Sequence, residues 1–587
     1  MQREIYFKRG QRLKRFHFKR DEILILALII LATLARLVLI AQNWPTTNSD
    51  EANMALLARH VAYNGEWPIF FYGLPYLGPI EGYIAAPLFH IFGPSTFTLR
   101  LGLLPFFFLF VICMYYLTRL LYTRGLALFI VVLLCPGSSE IIGRELRAVG
   151  EYPEIVFFAA AICLIIIWLA YSMPTPDSRT RPNLRRILVY GLLGLLVGLA
   201  LWDDFLILPF IGAGALFLLL FCRRELWSWM GVSLLLGIVI GAFPLILYNL
   251  TAPLAQNSIG VLISIDRDGA NLHRPFLQQI VGTLLISLPD ATGYNPLCTD
   301  SAFPYFHAPG SPPSISCIVL QGGWSAGYLI LLTLATILAA RYIWLHWRGT
   351  SLFKPVWAFE ERQQMILQCG RLMLLVSAIA TLLLYAVSPK AAVAPNPTAR
   401  YLICLLVALP CVLWPLWKGI PAVLKMPDWR RQIPLLVRGC LLLLILAVYG
   451  AGTIRTFTDI PNAQVYYQQQ DALVQKLLSL GATRIYSEYW TCNRLTFQSQ
   501  EKIICAVLDE QLNPGFDRYL PYRTIVKNAP HPAYVFPAGS PQVRAFDAGM
   551  KNGRISPAYQ RLTFDNYIIY LPDNHLVARP GFIPASP

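Results

Sequence analysis

Residues 23–41 read ILILALIILATLARLVLIA and form an apolar run as long as the roughly 20 residues that a membrane helix needs. The preceding residues 1–22 hold eight Lys and Arg residues. The run contains Arg36 and lacks a small-residue cleavage site, so it differs from a secretory signal peptide. We therefore expect an uncleaved first span with a cytoplasmic N-terminus.

The rest of the chain continues this pattern over 587 residues, of which 56% are hydrophobic and 14% charged. Soluble domains carry about 25% charged residues, so the composition argues against an ordinary soluble enzyme and against a disordered chain. The sequence predicts a polytopic α-helical membrane protein with about eleven spans. The predicted spans are 23–41, 97–118, 126–136, 153–172, 187–201, 205–221, 228–249, 325–341, 372–388, 401–417 and 433–451. The run 187–221 is too long for one span, and we place a turn at Trp202-Asp203-Asp204.

The net charge of +16 indicates positive-inside topology rather than nucleic-acid binding. Basic residues gather in the loops predicted to be cytoplasmic, whereas the predicted outer loop 42–96 has Arg59 alone. This distribution predicts an integral membrane protein with its N-terminus inside and its C-terminus outside. We expect no nucleic-acid partner.

Three regions follow from these patterns: a basic N-terminus (1–22), a transmembrane domain (23–454) with large outer loops at 42–96 and 250–324, and a C-terminal extracytoplasmic α/β domain (455–587). The last region has a helical pattern at 463–480. Short β-like runs follow it at 484–490, 503–507, 533–537 and 566–571.

Two cysteine pairs would lie outside the membrane, where disulfides persist. They are Cys298 with Cys317 and Cys492 with Cys505. No CxxC or Cys/His spacing of a metal site occurs.

Charged side chains within or close to the bilayer cost free energy, so they often mark a functional site. Here they gather at the predicted outer face. Asp50 and Glu51 admit two compatible interpretations: the start of a helix capped by Ser49 or Asp50 and running to about Tyr63, and a rigidly placed catalytic pair. The other carboxylate candidates are Glu81, Glu151, Glu154 and Asp203.

Cationic candidates for an anionic ligand lie at the same boundary. Arg144 and Arg147 share a helical spacing with Glu151 and Glu154, which predicts one stripe facing either a polar cavity or solvent. Arg36 and Arg400 suit either an interfacial anchor or phosphate contact. The predicted phosphate-binding residues are Arg36, Arg144, Arg147, Lys390 and Arg400.

Motifs of several other classes are absent from the sequence: no P-loop, H-E-x-x-H or paired Gly-rich dinucleotide loop occurs. Against this background, Ser49-Asp50-Glu51-Ala52 after a first span is followed by Tyr76-Leu77-Gly78-Pro79-Ile80-Glu81-Gly82-Tyr83 and, much later, by Arg400-Tyr401-Leu402. This resembles the GT-C membrane glycosyltransferases, in the bacterial form of the protein O-mannosyltransferase and aminoarabinose transferase branch. The resemblance implies a location in a bacterial plasma membrane.

The resemblance implies transfer of a hexosyl or pentosyl group from a polyprenyl-phosphate donor to a glycan, lipid or protein acceptor at the outer face, usually with inversion. It places the general base at Asp50. Family members often carry an acidic residue before Lys-Pro-Pro in the first loop. Here that place reads Leu77-Gly78-Pro79-Ile80, so the second carboxylate falls to Glu81 or a later acid. Some members bind a divalent metal at these carboxylates, and others do not.

Two rival classes share the same ligand: a transporter or flippase for lipid-linked sugars, and a non-catalytic binding or assembly protein. Transporters more often show internal repeats and helices broken at the midplane. The outer location of the charges favours the enzyme.

Overall fold

The fold is largely helical in the computed structural model, which describes residues 20–150, 152–173, 184–270, 274–295, 298–307, 310–347, 359–420, 429–555 and 559–572. Residues 1–19 of the predicted basic N-terminus lie outside the described residues, and so does Glu151. The α-helices up to the predicted turn at Trp202-Asp203-Asp204 are α1 Arg20–Ala41, α2 Ser49–Arg59, α3 Ile80–Phe92, α4 Thr96–Leu101, α5 Leu104–Leu121, α6 Arg124–Leu134, α7 Ser139–Glu145, α8 Tyr152–Tyr171 and α9 Leu184–Asp203.

The helices of the middle and C-terminal parts follow in the same numbering. They are α10 Leu208–Phe221, α11 Arg223–Leu226, α12 Trp229–Gly241, α13 Phe243–Thr251, α14 Ser258–Ala270, α15 Phe276–Val281, α16 Leu288–Ala291, α17 Ile315–Trp347, α18 Phe359–Ala386, α19 Lys390–Val393, α20 Pro395–Thr398, α21 Leu405–Trp417, α22 Trp429–Thr458, α23 Ile460–Ser479, α24 Tyr489–Gln498, α25 Leu520–Lys527 and α26 Pro541–Lys551. Short π-helical segments span His60–Asn64 and Gly282–Ser287, and 3₁₀ turns span Phe205–Ile207, Asp300–Ala302 and Ala399–Leu402.

Seven helices of the described chain are long and apolar enough to cross a membrane, and three bent helix pairs raise the number to ten. The bent pairs are 124–145, 229–251 and 395–417. Ten of the eleven predicted spans coincide with these elements, which confirms the polytopic helical fold. The remaining predicted span, 205–221, is a shorter apolar helix that follows the predicted turn. That break exists because α9 ends at Asp203, and the Asp204 side chain caps the next turn through the Leu206 amide.

Close backbone contact joins α9 to α12 through glycines. A Cβ added at Gly194 would lie 2.0 Å from the Leu234 carbonyl oxygen, and one at Gly198 would lie 2.4 Å from that of Ile238. From the other side, a Cβ at Gly237 would lie 2.3 Å from the Gly191 carbonyl oxygen. Small residues at such positions allow membrane helices to pack at short range.

A five-stranded sheet follows α23, with strand order β2-β1-β3-β5-β4. The strands are β1 Arg484–Ser487, β2 Ile504–Val507, β3 Ala533–Pro537, β4 Tyr559–Phe564 and β5 Tyr567–Pro572. β1 pairs in parallel with β2 and β3, and β5 pairs antiparallel with β3 and β4. The sequence pattern missed β4, which is only partly buried. We call α23 through β5 (residues 460–572) the C-terminal unit.

Each face of this sheet has its own core because successive strand residues point to opposite sides. Val535 and Ile569 pack with Leu473 and Leu477 of α23. The neighbouring Phe536 and Ile568 pack on the other face, in the cluster that contains α26 residues such as Phe546. The sheet is thus covered on both sides by helices.

Both predicted disulfides are present, Cys298–Cys317 and Cys492–Cys505. The second joins α24 to β2 inside the C-terminal unit. A further apolar cluster joins this unit to the loop 42–96: Met54, Leu57 and Phe89 of the loop share it with Phe497 and Val526. The C-terminal unit and this loop therefore form a common core.

Candidate active site

Helix α2 carries the predicted Asp50-Glu51 pair in its first turn. Its N-cap is Asn48, whose side chain accepts a hydrogen bond from the Glu51 amide at 2.9 Å, so the predicted cap at Ser49 or Asp50 is wrong by one or two residues. The Ser49 hydroxyl instead donates to the Tyr489 carbonyl oxygen at 2.5 Å. The cap leaves the Asp50 carboxylate available to other groups.

Asp50 meets two side chains of the C-terminal unit, both at Oδ1. The Arg518 guanidinium donates from Nη2 at 2.6 Å, and the Tyr489 hydroxyl also donates to this oxygen. Arg518 Nε donates to the Tyr489 oxygen at 2.7 Å, which closes a triangle of three side chains. The Asp50 side chain is 13% exposed, and Oδ2 accepts no hydrogen bond from the residues that the structure describes.

Aromatic rings and backbone hold Arg518 in place. Its guanidinium lies 4.9 Å from the Phe71 ring centroid and 5.3 Å from that of Phe516. Gly73 has φ +75°, and a Cβ there would lie 3.2 Å from Arg518 Cδ, so the loop 42–96 approaches this side chain closely. Burial, and then Asp50, raises the pKa of Tyr489, so its hydroxyl keeps its proton and donates.

Glu51 has a different environment from its neighbour. Arg100 binds it bidentately, with Nε to Oε1 at 2.7 Å and Nη2 to Oε2 at 2.6 Å. The Ala148 amide donates to Glu51 Oε1 at 3.1 Å, and both charged side chains are 1% exposed. These contacts favour a structural role for Glu51 over the predicted catalytic one.

Glu81 lies in a buried acidic group with Glu154 and Asp203. The Gly150 amide donates to Glu81 Oε2 at 2.8 Å, whereas Oε1 has no partner among the described residues. Burial, and then the charges of Glu154 and Asp203, raise the pKa of Glu81 well above its ordinary value. Gly78 brings the third acid close, since its amide donates to the Asp203 carbonyl oxygen at 3.0 Å.

The predicted stripe of Arg144, Arg147 and Glu154 does not share one helix, because α7 ends at Glu145 and α8 starts at Tyr152. Gly150, with φ +90°, lies in the intervening turn. Glu151 falls outside the described residues. Arg144, Arg147 and Glu154 therefore lie on different elements and have different neighbours.

The predicted cations have the following surroundings. Arg36 binds Glu145 at 2.6 Å and stacks 3.5 Å from the Phe107 centroid. Arg144 donates from Nη2 to Asp290 at 2.5 Å, while its Nη1 has no hydrogen-bond partner in the described part of the chain. Arg147 donates from Nη2 to the Thr46 carbonyl oxygen at 3.1 Å.

Lys390 and Arg400 share an aromatic neighbour. Lys390 Nζ lies 4.5 Å from the Tyr401 centroid, and the Arg400 guanidinium lies 5.4 Å from it. Arg400 also lies 5.5 Å from the ring of Tyr152, two residues before Glu154. Both predicted cations thus lie beside Tyr401, and Arg400 also lies at the start of the helix that carries Glu154.

Within the described residues, no three His, Cys, Asp or Glu side chains converge in an arrangement that could hold a metal ion. Glu51, one of the acids near Glu81, is already paired with Arg100.

A second contact joins the far end of α2 to the C-terminal unit. Arg59 Nε donates to Glu501 Oε2 at 2.7 Å, and His60 Nε2 lies 3.1 Å from Glu501 Oε1. The Tyr522 hydroxyl donates to the same Oε1 at 2.8 Å. The helix that carries Asp50 is therefore attached to the C-terminal unit at both ends.

Sequence reasoning missed Arg518 and the role of Tyr489. Tyr489 falls in the predicted β-like run 484–490 without a predicted role, and nothing in the local sequence of Arg518 distinguishes it from a surface residue. Their contact with Asp50 spans 439 and 468 residues of chain, which no local pattern reveals.

No family model and no curated protein matches this sequence. Solved structures do match. ArnT from Cupriavidus metallidurans in the apo state aligns over 96% of this chain and 100% of its own, with 13% identity and a TM-score of 0.51. The structure of ArnT from the same organism bound to undecaprenyl phosphate aligns over 93% of this chain and 97% of its own, with 12% identity and a TM-score of 0.50.

The match covers nearly the whole of both chains. At 12–13% identity this similarity shows the fold alone, and any activity has to be argued from the residues of the site. The chain has the fold of the GT-C membrane glycosyltransferases.

Proposed function

We propose that the protein is a glycosyltransferase that moves a sugar from a polyprenyl-phosphate donor to a hydroxyl acceptor, with Asp50 as the general base. The observation that carries the proposal is the Asp50 carboxylate, fixed at the start of a helix with Oδ1 bound and Oδ2 without a partner among the described residues. The GT-C fold supports it, as does the bound undecaprenyl phosphate of the similar ArnT structure.

The proposed step is an inverting displacement. The acceptor oxygen attacks the anomeric carbon and forms the new C–O bond, and Asp50 Oδ2 takes its proton. The bond from the anomeric carbon to the phosphate oxygen breaks, and its electron pair leaves with the lipid phosphate. No covalent enzyme intermediate and no metal are needed for this balance.

Cations would stabilise the charge that develops on the leaving phosphate. Lys390 and Arg400 suit this task because they lie together beside Tyr401. Arg144 contributes a free Nη1–H donor, since Asp290 occupies only its Nη2 among the described residues. Arg36 remains a prediction without similar support, since Glu145 and three carbonyl groups take its donors.

The test uses the purified full chain in lipid nanodiscs and a panel of polyprenyl-phosphate sugars. Transfer or release of the sugar is followed by mass spectrometry, and donor binding is measured separately. Asp50→Asn keeps the size of the side chain and an acceptor oxygen for Arg518, but removes the base. We expect wild type to turn over, and Asp50→Asn to lose about 10²-fold or more in kcat with unchanged donor binding.

Asp547→Asn is the matched control, because Asp547 accepts a hydrogen bond from Tyr570 in the C-terminal unit and does not contact Asp50. It should turn over like wild type. Donor binding without turnover in wild type, across the acceptors tried, would contradict the enzyme and favour a transporter or binding protein. Equal turnover by wild type and Asp50→Asn would remove Asp50 as the base.

A further inference from the structure

We propose that Tyr489 and Arg518 of the C-terminal unit are positioning residues that orient the Asp50 carboxylate, so that the catalytic base is assembled from both ends of the chain. The inference rests on the proposed function and extends it to two residues outside the transmembrane helices. It also assigns the C-terminal unit a direct part in the reaction, beyond covering the site.

The near end of α2 provides the first argument. Three separate contacts fix this end to α24 or to its neighbour Arg518: the Ser49 hydroxyl to the Tyr489 carbonyl, the Asn493 amide to the Ser49 hydroxyl at 3.0 Å, and the Tyr489–Arg518 pair to Asp50. Two charge-assisted donors on one carboxylate oxygen define the plane and rotation of the group. Oδ2 is then the oxygen that remains for a proton.

The rigidity of the donors provides the second argument. Arg518 lies between the Phe71 and Phe516 rings, and Tyr489 packs on Phe516 with centroids 6.2 Å apart. The disulfide Cys492–Cys505 ties the helix of Tyr489 to the sheet. An oriented group of this kind lowers the barrier because its alignment with the reacting atom is set before the substrate arrives.

The far end of α2 supplies the matched control. Glu501 binds Arg59 and His60 in the same interface and does not contact Asp50. If the interface had a purely structural role, substitutions at both ends of α2 would lower kcat by similar factors. A positioning role predicts that only substitutions at the near end lower kcat.

The experiment compares Tyr489→Phe, Arg518→Lys and Glu501→Gln with wild type, all as full chains in nanodiscs. It measures kcat, the acceptor KM, donor affinity without acceptor, and the thermal unfolding midpoint. We expect kcat to fall about tenfold or more in Tyr489→Phe and further in Arg518→Lys, which loses the fork that reaches both Asp50 and Tyr489. Donor affinity should stay within about twofold of wild type. Glu501→Gln should lower the unfolding midpoint and keep kcat.

Wild-type kcat in Tyr489→Phe and Arg518→Lys would overturn the inference and leave the proposed function standing. Equal loss of kcat in all three variants, in step with their unfolding midpoints, would also overturn it, since it indicates a structural interface. Absence of turnover in wild type would contradict the proposed function itself. Tyr489→Phe keeps the ring and its packing, so the comparison survives if Arg518→Lys fails to fold.

Discussion

Glu51 and Asp50 are chain neighbours with opposite surroundings. Glu51 is enclosed with Arg100, and the removal of one member of a buried ion pair leaves the other charge unpaired. We expect Glu51→Gln to lower the free energy of unfolding by about 3–5 kcal/mol. Thermal or denaturant unfolding of the purified protein in detergent measures this loss.

The control is the double variant Glu51→Gln with Arg100→Met, which removes both charges. Since the two residues are in contact, their effects should be non-additive, and the double variant should be more stable than the sum of the single losses implies. A Glu51→Gln protein with native stability and no transfer would instead make Glu51 catalytic.

At this scale the sequence predicted the start of a helix at Asp50 to within two residues, because Asn, Ser and Asp before an apolar run have local helix-start chemistry. It predicted both disulfides from their placement outside the spans. It could not predict Arg518, because the pairing of Asp50 with a residue 468 positions away depends on the folded chain alone.

At the scale of elements, apolar runs predicted the helices well, while charge spacing misled. The stripe through Arg144 and Glu154 failed because helical spacing has meaning only if the helix continues, and Leu146 ends α7. The glycines between α9 and α12 had no predicted role, since a glycine in an apolar helix gives no indication of its neighbour.

These glycines allow a direct test. Gly194→Ala places a Cβ 2.0 Å from the Leu234 carbonyl oxygen, so α9 and α12 must separate. We expect a loss of about 1–3 kcal/mol in unfolding free energy. Gly212→Ala on α10 is the control, because a Cβ there meets nothing within 4 Å, and its effect should be neutral or slightly stabilising. Equal stability of the two variants would contradict the close packing.

At the scale of the whole molecule, the interface at Glu501 predicts a pH dependence. The hydrogen bond with His60, with those of Arg59 and Tyr522, lowers the pKa of Glu501 from 4.5 to about 2 against the effect of burial. A carboxyl whose pKa is lower in the folded state stabilises that state fully above about pH 4.5, and this contribution disappears as the pH falls toward about 2.

The measurement is the unfolding midpoint of wild type and Glu501→Gln between about pH 7 and 2.5. Wild type should be more stable at neutral pH, and the difference should shrink as Glu501 takes up its proton. The comparison isolates Glu501 from Glu66, which accepts hydrogen bonds from Tyr72 and Tyr519 in the same interface and is common to both proteins. A pH-independent difference would contradict the ionised contact.

The hydrogen bond between Asp50 and Tyr489 joins residues 439 positions apart, and this separation has a consequence for biogenesis. During synthesis the N-terminal helix and its carboxylate leave the ribosome long before α24 and Arg518 exist. A nascent or truncated chain therefore carries the acid without its orienting partners. If Asp50 is the base, as proposed, chains truncated before α24 should hold the acid and transfer no sugar, because Tyr489 and Arg518 are missing from them.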